Sequence, residues 1–135
     1  MQPIHVRYII TCENVVEKEQ GMTDFINVFD WRLIEEIPSK LDFQLVVSFE
    51  YRLLEEENRK ISLKIANPEN RQMIKGLSIE LEPSKIEEDA MNVFNAIIRL
   101  PNFPVQHLGD YKFFIFYDEE VISKHVISFR KERIE

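Results

Sequence analysis

The chain is short of the residues on which several chemistries depend. It holds one cysteine, Cys12, so no intrachain disulfide can form and nothing in its cysteine usage asks for an oxidising compartment. Three glycines in 135 residues leave little from which to build a glycine-rich phosphate cradle. The three histidines, His5, His107 and His125, are far apart, and no pair has the local spacing of zinc ligands. No serine sits in a Gly-x-Ser-x-Gly elbow. No apolar run approaches the ~20 residues that a membrane helix needs. The first residues, Met1 to Arg7, carry no charged segment followed by an apolar core, so a secretory leader is not expected. These absences lead us to expect a cytoplasmic chain with no metal, no cofactor and no catalytic constellation, and not an enzyme.

Acid and phenylalanine are plentiful. The formal net charge of -7 opposes non-specific nucleic-acid binding, which draws its affinity from Lys and Arg displacing counterions. It equally opposes docking to an anionic leaflet. Neither nucleic acid nor membrane is therefore an expected partner. Ten phenylalanines favour strands and supply large buried areas. The length, residues 1–135, suits one domain that buries roughly two-thirds of its unfolded surface.

The hydropathy pattern is that of strands. The last hairpin is the plainest: Gly109-Asp110-Tyr111-Lys112-Phe113-Phe114-Ile115-Phe116-Tyr117, an acidic turn at Asp118-Glu119-Glu120, then Val121 to Phe129. Phe43, Leu45, Val47, Phe49 and Tyr51 alternate with Gln44, Val46, Ser48 and Glu50, which is a half-buried strand. Ile61, Leu63 and Ile65 give its partner, and Leu77, Ile79 and Leu81 lie in a further strand over 72–82. Near the start, Ile4, Val6, Tyr8, Ile10 and Cys12 share a parity, which predicts a buried Cys12 on the same face as Ile4. One strand is expected over 24–34; a β-bulge is one explanation for Asn27 on the parity of Phe25. Residues 86–100 fit both periods, and the reading adopted is a short helical or irregular lead-in near 86–93 followed by a strand to Leu100. Pro101 and Pro104 then bracket an extended linker.

Strands punctuated by turn signals every ~8–12 residues indicate an all-β fold: a two-sheet antiparallel sandwich, immunoglobulin-like or Greek-key, of about seven or eight strands. Gly109-Asp110-Tyr111 resembles the tyrosine corner of such sandwiches, in which the phenol bonds back to nearby backbone.

Three segments carry a wider resemblance. Ile10-Thr11-Cys12-Glu13, Phe25-Ile26-Asn27-Val28-Phe29-Asp30 and Gly109-Asp110-Tyr111-Lys112-Phe113 together resemble a family of small bacterial β-sandwich domains of unknown function. Glu13 stands where that family has Asp, and Asn27 where it has Gly. The resemblance implies a sandwich and implies no activity.

Loop carboxylates offer a cation cup in principle: Glu17 and Glu19, Glu55 to Glu57, Glu87 to Asp89, and Asp118 to Glu120. Calcium takes such oxygen ligands, but hairpin turns carry solvated charge anyway, so no metal site is assigned. The most usable signal is apolar residues on the outer parity. Phe114 and Phe116 oppose Phe113, Ile115 and Tyr117, and Val126 and Val28 share that second parity. Contiguous apolar surface of this kind marks contact sites. The expected function is a non-catalytic protein-interaction or self-associating module, a homodimer being one form of the latter, that uses Phe114, Phe116, Val126 and Val28. The alternative is a small-molecule or cation-binding sandwich built on loop carboxylates and the aromatics Trp31, Tyr51 and Tyr117.

Overall fold

The computed structural model describes residues 4–51, 59–73, 77–81 and 92–131. Among them run β1 (Ile4–Glu17), β2 (Thr23–Val28), β3 (Trp31–Leu33), β4 (Ser39–Tyr51), β5 (Arg59–Ala66), β6 (Leu77–Leu81), β7 (Asn92–Val105), β8 (Gly109–Tyr117) and β9 (Glu120–Arg130). They form a four-stranded sheet, β2-β1-β4-β7, and a five-stranded sheet, β3-β9-β8-β5-β6. Neighbours pair antiparallel, except that β3 lies parallel to β9. The architecture is the all-β two-sheet sandwich that the turn spacing predicts, with nine strands among the described residues where about seven or eight are expected.

Alternation explains the layering. In β8, Tyr111, Phe113, Ile115 and Tyr117 are buried while the residues between them are not. In β4, Phe43, Leu45, Val47 and Phe49 face the same core. That core is knitted by aromatic rings meeting edge to face, Phe43 with Phe103 at 5.0 Å and Tyr111 with Phe129 at 5.2 Å between centroids. Each fully buried ring contributes about 1.5–3 kcal/mol over leaving it in water. The tyrosine corner is present: the Tyr111 hydroxyl donates to the His107 carbonyl at 2.7 Å. Burial pushes the phenol's pKa up, and backbone hydrogen bonds from His107 and Gln106 oppose the shift.

Three expectations are corrected. The stretch 24–34 is two strands in two sheets, not one: the chain leaves the four-stranded sheet after Val28 and pairs with β9 from Trp31. Asn27 sits there with a left-handed φ of 57°. The expected linker at Pro101–Pro104 is strand, because β7 runs through to Val105. Its only partner among the described strands is β4, and proline is tolerated where no second neighbour calls on its missing N–H. Asn102 turns through φ 54° at the accompanying bulge, where its N–H donates to the Asp42 carboxylate at 2.7 Å. A further bulge, between Val6 and Tyr8, reverses the parity of β1. Cys12 is buried as expected, but opposite Gln44 and Val28 on the outer face of its sheet, away from Ile4. The strand expected over 72–82 is present from Leu77 to Leu81, with positions 74–76 and 82 outside the described residues. The helical lead-in lies outside the described residues up to position 91, and Asn92 and Val93 are already strand.

The outer face of the four-stranded sheet is partly covered, with Val46 and Ser48 of β4 buried there as well as Cys12. The tip of the β1–β2 ribbon lines one cleft, about 230 Å³, with Val46 of β4 and Asn95 and Ile97 of β7. Since β1 separates β2 from those strands in the sheet, the ribbon must curl back over the sheet to reach them. Tyr8 and Phe25 meet edge to face beneath it at 6.3 Å.

Candidate functional site

The outer face of the five-stranded sheet gathers most of the residues that the sequence marks out. Inward alternation of Tyr111, Phe113, Ile115 and Tyr117 forces Phe114 and Phe116 outward, where both are half-buried. Register then sets their neighbours. Phe114 stands between Lys64 of β5 and Lys124 of β9, and Phe116 between Ser62 and Val121. The next row is Ala66, Lys112 and Val126. Trp31 and Leu33 extend the face through their pairing with Ser128 and Arg130. Trp31, Leu33 and Val121 are exposed, Val121 at 53%.

Cations lie over these rings. The Lys64 ammonium is 4.8 Å from the centre of Phe116, and the Arg130 guanidinium 5.4 Å from that of Trp31. Such contacts contribute about 0.5–1 kcal/mol at exposed sites. Lys112 donates to the Asn70 side-chain carbonyl at 3.2 Å, and Arg130 to Ser128 at 3.3 Å. No ion pair joins Lys64, Lys112, Lys124 or Arg130 to a carboxylate among the described residues. Asp110 is the carboxylate whose register position lies among them, opposite Ser128. At the margin Lys60 stands opposite Glu80.

Val28 does not belong to this face. It pairs with Cys12 in the other sheet and is 57% exposed there, beside Ile26. Its parity in the sequence matched that of Phe114, but the break at Asn27 and Asp30 puts the two on different sheets. Sequence reasoning in turn missed Trp31, Leu33 and the lysines as members of the face. A signal for the basic residues exists: Lys112, Lys124 and Arg130 all fall on the outer parity of the last hairpin, in step with Phe114, Phe116 and Val126.

The remaining candidates do not converge. Tyr117 is buried in the core and Tyr51 packs against it, whereas Trp31 lies on the outer face. The carboxylates at Glu55–Glu57 and Glu87–Asp89 lie outside the described residues. Among the described residues no three His, Cys, Asp or Glu side chains stand close enough to hold a metal ion. His125 faces inward and bridges the sheets, its Nε2 2.6 Å from the Thr11 hydroxyl. Burial pulls its pKa down, opposed by the charge of Asp30. The Cys12 thiol is pushed up by burial, partly offset by a backbone hydrogen bond from Asn14, which is the setting of an unreactive thiol. A second cleft, about 290 Å³ and mainly apolar, opens between the sheets past Phe49, Leu63, Ile98 and Arg99. No helix among the described residues is long and apolar enough to cross a membrane.

Comparison with known proteins places the chain without assigning it an activity. It is similar in fold to an alkylpurine DNA glycosylase, AlkC, from Pseudomonas fluorescens, solved bound to DNA containing an abasic site analog. Identity there is 9% and the TM-score 0.49; the match covers 95% of this chain and only 30% of the glycosylase. It is also similar to an immunoglobulin-like protein from Pseudomonas aeruginosa, at 11% identity and a TM-score of 0.43, over 94% of this chain and 96% of that one. No curated protein matches the sequence. The model of a family of unknown function (DUF6941) matches residues 7–130, and the chain belongs to that family.

Proposed function

We propose that this member of DUF6941 is a non-catalytic, cytoplasmic bacterial interaction module that docks another polypeptide, a different protein or a second copy of itself, on the outer face of its five-stranded sheet. The observation that carries the reading is the continuity of Phe114, Phe116, Val126, Val121, Trp31 and Leu33 across β8, β9 and β3. Half-buried or exposed aromatic and aliphatic side chains ringed by cations have the composition of an interface centre, where aromatics and Arg are enriched. A lone buried thiol in place of disulfides supports the cytoplasm.

Light scattering during size exclusion, with co-purification from the source cells, tests the proposal. Phe116→Asp puts a charge at the centre of the face on a side chain that lies outside the core, so its thermal melt should stay close to that of wild type. Loss of dimer or of a stoichiometric partner in that folded variant supports the proposal. A wild-type chain that is strictly monomeric and takes no partner contradicts it.

A further inference from the structure

The charge on the proposed docking face runs against that of the molecule. The chain carries a formal net charge of -7, yet Lys64, Lys112, Lys124 and Arg130 share this one face with Asp110. By contrast, Lys18 elsewhere is held by Asp24 at 2.7 Å and Arg32 by Glu13 at 3.7 Å. We infer that the face takes an acidic polypeptide segment of a different protein, anchored by apolar side chains on Phe114 and Phe116 and by carboxylates on the flanking lysines. This rests on the reading of the outer face as a docking surface and supplies its partner's chemistry.

Four observations select that occupant. A second copy docked symmetrically would set the same patch against itself and bring the lysine rows together with Asp110 as the carboxylate placed among them in the described residues, a juxtaposition that suppresses the wrong partner. Single-stranded nucleic acid binds by stacking flat bases on ring faces, where Lys64 already lies over Phe116 and Arg130 over Trp31, whereas an apolar side chain packs beside a ring without taking the cation's place. Long-range repulsion from a chain of net charge -7 also weighs most heavily against polyphosphates and anionic bilayers. A short acidic segment is repelled less and offers carboxylates, which the described part of the face holds in smaller number than cations. The register supplies a template for it: Lys64, Phe114 and Lys124 in one row, and Ser62, Phe116 and Val121 in the next. Cation and apolar anchor thus lie side by side, matching a segment in which carboxylates alternate with apolar residues.

Fluorescence anisotropy on the full chain tests this with three labelled probes: a peptide alternating glutamate and leucine, a deoxythymidylate oligonucleotide of equal charge, and vesicles of phosphatidylserine with phosphatidylcholine. The peptide should bind, and its affinity should fall between ~50 and ~300 mM sodium chloride as screening shortens. The double variant Lys64→Glu with Lys124→Glu should bind it about tenfold more weakly or worse. Lys40→Glu, on the other sheet, should leave binding unchanged. An oligonucleotide or vesicle bound as tightly as the peptide overturns the polypeptide assignment. Peptide binding that ignores Lys64 and Lys124, or no binding, overturns the inference. If the peptide fails while Phe116→Asp abolishes a wild-type dimer, the inference falls and the docking face stands.

Discussion

At the scale of single residues, His125 is the side chain whose environment makes the clearest prediction. It is held between the sheets by Thr11, beside the ring of Phe113 at 6.4 Å. Its folded-state pKa lies below the ordinary 6.5 because burial disfavours the charged ring more than Asp30 favours it. The unfolded chain therefore takes up a proton first as pH falls. Stability should be level above about pH 6.5 and drop as pH decreases from there towards the lowered folded value. Urea midpoints between pH 7.5 and 5 measure this, and His125→Gln should flatten the slope. A slope unchanged in that variant would mean that His125 takes up its proton equally readily folded and unfolded, and would contradict the lowered folded value.

Cys12 and Val28 show at the same scale where parity misleads. Counting by twos from Ile4 puts Cys12 between the sheets; it is buried, but on the outer face of its sheet. The bulge at Arg7 that reverses the count is fixed by pairing with β4, roughly forty residues away, so the local sequence has no means of announcing it.

At the scale of elements, the corner before β8 is the joint on which the docking strand hangs. Gly109 adopts φ +129°, and a Cβ there would meet the Pro68 side chain at 3.1 Å. Two costs coincide, a backbone conformation that L residues rarely adopt and a contact that is too close. Gly109→Ala should therefore destabilise the chain by about 1–3 kcal/mol. Gly21→Ala, at φ +74° with nothing near its added methyl, should cost only about 1 kcal/mol. Chemical denaturation of both variants measures the difference; equal losses would contradict the packing of Pro68 against the corner. The corner itself was legible, since Gly109-Asp110-Tyr111 announced the bond that Tyr111 makes to His107. So were β4, β5, β8 and β9, where inward and outward residues alternate cleanly. The split of 24–34 into β2 and β3 was not, because both faces of that stretch are apolar. The passage of β7 through Pro101 and Pro104 was not either, because it depends on the strand having one neighbour.

At the scale of the whole molecule, the candidate face was half legible. Phe114, Phe116 and Val126 could be assigned to it from parity within one hairpin. Trp31 and Leu33 could not, because they arrive through a parallel pairing between segments about a hundred residues apart. The lysines were visible as charge, but a net charge of -7 hid the fact that the fold collects several cations on one face. That concentration of cations around exposed rings is what a sum over the sequence averages away, and it is the basis of the account given for this chain.

The most direct test is a map of amide chemical shifts of the isotope-labelled chain, recorded while the alternating glutamate–leucine peptide is added. The account predicts changes concentrated at Ser62 to Lys64, Lys112 to Phe116 and Lys124 to Val126, with the β1–β2 ribbon and β7 unmoved. Changes gathered instead along β7, or at the turn around Asp118, would contradict it.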